Sequence, residues 1–200
     1  MLLDLTGPHR DDAYLILAGL VTPRPIALVT TVDEHGRVNA APFSFFNVLG
    51  DSPPIVGICP GDRAPGVAKD TARNIRLTHE FVVNLVDDAL AAQMNLCAAS
   101  LPPGENELLH AGLTAAPCVA VQPPRIVEAP ASLECRQHST IEIGDNRLII
   151  GEVLRVHVRE GIFDPATWLV RPGQYQPIGR MQSPHWYCRT TDVFEMQRPR

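Results

Sequence analysis

The chain has 200 residues, 45% of them apolar, which is enough for one substantial core and gives no reason to expect a second domain beside the one spanning 1–200. Seventeen Lys and Arg against 22 Asp and Glu leave a net charge of −5 with no basic run, which excludes a sequence-independent nucleic-acid binder. The opening MLLDLTGPHRDD has acidic residues and a proline where a signal peptide has a cationic start and an apolar core, and no apolar run approaches a bilayer span; a cytoplasmic protein with no membrane partner is expected.

The first strand is expected over 26–31, where β-branched residues end in the hydroxyl pair Thr30 and Thr31 before the turn residues Asp33-Glu34-His35-Gly36. A return strand is expected over 38–45, in an arm that runs on to Asn47 and sets Ser44 and Asn47 among small residues and phenylalanines. A flat heteroaromatic ligand needs such a wall: small side chains that let backbone approach its polar edge, and a few fixed hydroxyl or amide groups to orient it. Ala40, Ala41 and Pro42 are small, and Pro42 cannot donate to a ladder, so the alternative reading is a strand that bends there for architectural reasons alone.

Further strands are expected over 55–59, 80–86, 124–135, 140–143 and 147–158, the last two separated by the hairpin turn Gly144-Asp145-Asn146. Leu154, Val156 and Val158 alternate with Arg155, His157 and Arg159, the period of a sheet with one wet face. Helices are expected over 71–79, capped by Asp70 or Thr71, over 89–99, and as a short turn over 106–111. The 19 prolines cluster at Pro53-Pro54, Pro102-Pro103 and Pro123-Pro124, where they end strands. The pattern predicts a mainly β protein with a few helices, an antiparallel small barrel. A barrel of about six to eight strands is too narrow for a large planar ligand inside, so such a ligand must lie on the outer wall or at a subunit junction, which is the reason to expect a dimer.

A helix starting near Thr71 points free N–H groups and partial positive charge outward, with Thr71 and Asn74 on one face; that end accepts a phosphate. Lys69 and Arg73 add cationic charge and Asp70 opposes it, while the plainer reading is an N-cap with surface charges. In the segment 175–189, YQPIGRMQSPHWYCR, the residues Arg180, His185, Trp186 and Tyr187 suit closure over a ring, a dinucleotide site, a partner subunit, or simply a tail packed for stability. His35, His79, His110, His138 and His157 are scattered, with no metal-ligand spacing, and no serine-hydrolase elbow, P-loop or dinucleotide fingerprint occurs; no metal is expected. The five cysteines, Cys59, Cys97, Cys118, Cys135 and Cys188, are odd in number and widely spaced, and are expected to be reduced thiols packed as small hydrophobes.

RPIALVTT, GRVNAAPFSFFN, DSPP, KDTARNI and EFVVNL, followed by Leu133-Glu134-Cys135, Ile150-Gly151-Glu152-Val153 and Pro177-Ile178-Gly179-Arg180 with Tyr187, resemble the signature of the flavin reductase-like family, the FMN-binding split barrels that include flavoredoxin-type members. The likeness runs from about residue 14 to about 196 in the family's order. It implies an antiparallel, Greek-key-type split β-barrel homodimer that holds FMN, with FAD as an alternative, outside the barrel near the dimer interface. By the same resemblance Thr30, Thr31, Ala41, Pro42, Phe43, Ser44 and Asn47 would face the flavin ring and ribityl chain, and Lys69, Thr71 and Asn74 the phosphate. Arg180, His185 and Tyr187 become substrate-binding candidates, His185 as a group that positions the nicotinamide. The implied activity is an oxidoreductase passing electrons from NAD(P)H through bound FMN to a small-molecule acceptor; the alternative is an FMN-binding electron-transfer protein with no NAD(P)H site of its own. A barrel that has lost its cofactor is a weaker third reading, because the hydroxyl and amide positions all remain.

Overall fold

The computed structural model describes residues 1–102 and 104–199; Pro103 of the second proline pair lies outside the described residues. After a short helix α1 (Ala13–Leu20), the chain forms a hairpin of β1 (Ala27–Val32) and β2 (Val38–Phe43). Asp33 folds the turn by accepting N–H bonds from His35 and Arg37, and Gly36 supplies the left-handed residue at φ 75°. A second hairpin, β3 (Phe46–Asp51) with β4 (Pro54–Ile58), follows at once. The return strand expected over 38–45 therefore ends at Phe43, and Asn47 belongs to the next strand.

Helix α2 (Asp70–Thr78) and β5 (Glu80–Leu85) come next, then a 3-10 turn at Asp88–Leu90, α3 (Ala91–Leu96) and α4 (Glu107–His110). Two short strands, β6 (Ala115–Ala116) and β7 (Arg125–Ile126), precede the long hairpin of β8 (Ala131–Ile143) and β9 (Asn146–Val158). The strands expected over 124–135 and 140–143 are thus a two-residue bridge and one 13-residue strand, whose register shifts near Cys135 and Ser139 let it bend without breaking. A last hairpin pairs β10 (Ile178–Arg180) with β11 (Tyr187–Arg189).

The main sheet has seven strands in the order β2-β1-β5-β8-β9-β4-β3, every pairing antiparallel. The chain passes from one edge strand to the other through Ser44 and Phe45, yet β2 and β3 share no ladder, and this gap is the split in an antiparallel split barrel. Inside, Ala27, Val29, Phe43, Phe46, Val56, Ile58, Phe81, Val83, Cys135 and Ile149 pack against Ala72 and Ile75 of α2, which plugs the barrel. On the outer wall Leu28, Ala40 and Val86 are covered by Leu90, Met94, Cys97, Leu108 and Ile126, so the α3–α4 layer builds a second core. The faces of β1 divide by the strand period: Val29 and Thr31 serve the inside, Leu28 and Thr30 the outside.

Candidate functional site

The open edge of β2 forms the floor of a cleft of about 430 Å³ between α2 on one side and the α3–α4 layer on the other. Edge-strand backbone alternates between groups bonded to the neighbour and groups facing away. Ala40 faces away and gives its N–H to Glu107 Oε2 at 2.9 Å, so Pro42, two residues on, stands where no N–H is required. Asn39, Ala41 and Phe43 share the other face and supply an amide, a small residue and a flat wall.

Helix α2 reaches the cleft by its start, because its buried residues Thr71, Ala72, Asn74 and Ile75 fall on the face that plugs the barrel. The cap position is Lys69, one residue earlier than Asp70 and two earlier than Thr71, the two expected caps, and no side chain caps the first turn. Its N–H groups and the helix dipole therefore face the cleft unopposed. Asp70 does not cancel that field, since it is held by Arg63 at 2.6 Å and Arg73 at 2.9 Å. Lys69 forms no ion pair among the described residues and lies 5.7 Å from the centre of the Phe43 ring.

A chain of hydrogen bonds ties the two walls. Asn39 Nδ2 donates to Thr71 Oγ1 at 3.1 Å and to Thr31 Oγ1 at 3.4 Å, and Asn74 Nδ2 donates to the same Thr31 oxygen at 3.1 Å. Asn74 Oδ1 stays buried with no partner among the described residues, an unspent acceptor one bond behind the cleft wall. On the far wall, burial and the neighbouring Glu107 push the Cys97 thiol up to about 11, so it lines the cleft as a neutral group.

Of the residues expected at this site, the structure brings together Ala41, Pro42, Phe43, Lys69 and Thr71, with Thr31 and Asn74 directly behind them. Three others stand outside this cleft. Thr30 points to the opposite face of the sheet from Thr31, where its hydroxyl donates to Pro124 O at 2.5 Å, away from the cleft. Ser44 sits in the crossover and accepts from Arg24 Nε at 3.4 Å, and Asn47 is exposed on β3 with its Oδ1 taken by Val48 N–H. The residues missed were Asn39, Arg63, Glu107 and the segment 97–101. Asn39 was legible, because it lies two and four residues before Ala41 and Phe43 on one strand face; the others arrive from distant segments.

Arg180, His185 and Tyr187 do not line this cleft. Arg180 donates to Pro184 O at 2.6 Å and to Trp186 O at 3.3 Å and lies 4.7 Å from the centre of the Tyr187 ring, so it braces its own hairpin. Tyr187 lines a separate cleft of about 210 Å³ with Met94, Ile178 and Cys188, and His185 is exposed.

The family model described as "Flavin reductase like domain" matches residues 19–179. The chain is 44% identical to an uncharacterized protein of Deinococcus radiodurans, over 98% of this chain and 88% of that one. Among solved structures, nitrilotriacetate monooxygenase component B from Bacillus cereus is 32% identical, with 98% of each chain covered and a TM-score of 0.93. The 2-nitrobenzoate 2-nitroreductase NbaA of Pseudomonas fluorescens is 35% identical, covering 100% of this chain and 96% of that one at a TM-score of 0.88. Among the described residues no helix is long and apolar enough to cross a membrane.

Proposed function

We propose a function that starts from one fact: this chain belongs to the flavin reductase-like domain family. It is a flavin-dependent oxidoreductase that takes electrons from NAD(P)H through bound FMN and passes them to a small-molecule acceptor. The observation that carries this reading is the uncapped start of α2 beside Lys69, facing the Asn39–Phe43 edge across one cleft. A phosphate needs N–H donors and a cation, and a flavin ring needs a flat, partly apolar wall with polar groups at its rim. The cleft offers both, and its volume of about 430 Å³ falls in the range of about 300–1,000 Å³ common to small-molecule sites.

In this assignment the N–H groups of the first turn, Lys69 and the Thr71 hydroxyl hold the phosphate. Asn39 fixes the Thr71 hydroxyl, and Thr31 with Asn74 braces both from behind. Ala41, Pro42 and Phe43 present the wall along which the ring lies. When bound, the flavin supplies the hydride and electron transfer, and the protein supplies stacking, orientation and the field at the ring edge. No side chain is required as an acid or base.

A second copy of the chain completes the molecule. The edge strand β3 exposes Val48 and Leu49 beside Phe45, and α1 exposes Tyr14, Leu15, Leu17 and Leu20, apolar surface of the kind a partner covers. Tyr14 and Phe45, with ring centres 6.3 Å apart, join the two patches. Light scattering on the purified protein is expected to give twice the chain mass.

One observation favours the alternative, a flavin electron-transfer protein with no nicotinamide site. Both terminal guanidinium nitrogens of Arg180 donate to its own hairpin carbonyls, which compete with a diphosphate for the same donors. Anaerobic titration of the FMN-loaded protein decides between them: rapid bleaching of the yellow colour by NADH or NADPH supports the reductase, and bleaching only by a reduced protein donor supports the carrier. A folded protein that refuses FMN supplied in excess overturns both.

A further inference from the structure

Away from the cleft, the outer face of the long hairpin gathers three ligand-type side chains from separate parts of the chain. Ser132 lies opposite His157 in the β8–β9 register, so Glu134 is the diagonal neighbour of His157 on the same face. The Glu134 side chain is fully buried and is oriented by two backbone donors, Val119 N–H on Oε1 at 2.9 Å and Ala120 N–H on Oε2 at 2.5 Å. His157 Nε2 meets Oε1 at 2.5 Å. Cys118 immediately precedes the two donor amides, and one ligand atom from each of Cys118, Glu134 and His157 lies within 4.8 Å of the others.

We propose that Cys118, Glu134 and His157 form a site for a divalent cation of the zinc class, three protein ligands with a fourth position open to water. Sulfur, imidazole and carboxylate in one cluster match the ligand preferences of zinc over those of magnesium or calcium. Zinc bond lengths of about 2.0–2.3 Å put tetrahedral ligands about 3.5 Å apart, so His157 Nε2 and Glu134 Oε1, now 2.5 Å apart, open by roughly 1 Å while the Cys118 sulfur, within 4.8 Å, closes by a similar distance. The backbone bonds to Glu134 are the outer-shell support such a ligand requires, and they remain when the cation enters. Cys118 and His157 are only half-buried, which leaves a way in.

The charge balance permits it. Burial and the adjacent carboxylate push the Cys118 thiol up to about 11, so without a cation it is neutral; Arg125 beside it favours the thiolate but adds positive charge. The entering dication displaces the proton from the sulfur and takes a ring-nitrogen lone pair of His157, so the thiolate and the Glu134 carboxylate balance its two charges and the cluster presents no net positive charge to Arg125. Occupied, the site would pin the segment carrying residues 118–120 to the barrel.

The full-length protein is stripped with a chelator, loaded with Zn²⁺, desalted and assayed for metal. The wild type is expected to retain about one equivalent per chain, and Cys118→Ser and His157→Gln each to lose it with unchanged circular dichroism. Loaded with Co²⁺, the wild type is expected to show an intense thiolate-to-cobalt charge-transfer band that Cys118→Ser lacks. Zinc retention equal in the wild type and in His157→Gln, or a cobalt spectrum with no thiolate band, overturns the site. His157→Gln leaves the buried carboxylate with its two amide donors, so the test stands even if Cys118→Ser folds poorly.

Discussion

Asn39 on the edge strand and Thr71 in the first turn of α2 are joined by one hydrogen bond of 3.1 Å, which fixes the two walls of the cleft to each other. The Thr71 hydroxyl accepts this bond and keeps its own proton for a ligand oxygen. Thr71→Ala is expected to weaken FMN binding about tenfold, which is about 1.4 kcal/mol, while costing the fold no more than about 1.5 kcal/mol. Lys69→Ala, at an exposed position, is expected to act on FMN and not on stability. Flavin fluorescence quenching and thermal melts measure both; an unchanged Kd in the double variant removes the phosphate assignment.

Asn84 is the counterpart on the outer face of the barrel. Its amide, fully buried, donates to Leu28 O and to Thr30 Oγ1 and accepts from Ile126 N–H and Ser132 Oγ, so it stitches β1, β8 and the 124–126 segment together. Asn84→Ala strands several buried groups at once, and a loss of about 3 kcal/mol is expected from a cost of roughly 1–3 kcal/mol for each group left unsatisfied. Because none of these groups lines the cleft, the Kd for FMN is expected to hold. A variant that loses FMN at temperatures where it stays folded would mean that this network and the cleft are coupled.

The first hairpin has its own acid limit. Partial desolvation pushes the Asp33 carboxyl up, but N–H donors from Arg37 and His35 and the Arg37 guanidinium at 2.6 Å outweigh it and hold the group at about 2, below its ordinary 3.8. A depressed folded value stabilises above the unfolded one and is lost as protons return. Its contribution is therefore complete above about pH 4 and disappears as the pH falls to about 2. Urea midpoints across this range are expected to fall less steeply for Asp33→Asn than for the wild type.

How much of this was legible in the sequence depends on the range of the interaction. The β1–β2 hairpin, the β8–β9 hairpin and the cationic start of α2 are local, and turn residues with periodicity mark them. The same periodicity separates Thr30 from Thr31 and groups Asn39 with Ala41 and Phe43, so a strict count along the strand finds the cleft face more surely than the residue types do. The break at Ser44 leaves no local mark, because what draws the chain out of β2 is the long-range pairing of the β3–β4 hairpin with β9. Helix α1 has no side-chain cap and is held instead by Arg24, whose guanidinium takes Ala18 O and Val21 O. Cys118, Glu134 and His157 meet only through register and loop closure, and no spacing rule reaches them.

Gly151 tests whether the barrel interior is filled. It lies on β9 opposite Val56 of β4 and Gln137 of β8, and a Cβ built there would overlap the Phe81 ring and press on Cys135. Phe81 is fully buried and belongs to the inner core that α2 closes, so the ring has no room to retreat. Gly151→Ala is expected to cost about 1–3 kcal/mol by overpacking, against the small gain an alanine brings in an open strand. Gly151→Ala combined with Phe81→Leu separates space from backbone freedom: if space decides, the alanine costs less in the Phe81→Leu background than in the wild type. Equal costs in both backgrounds, read from denaturant midpoints, would show that glycine is needed there for its backbone and not for the ring.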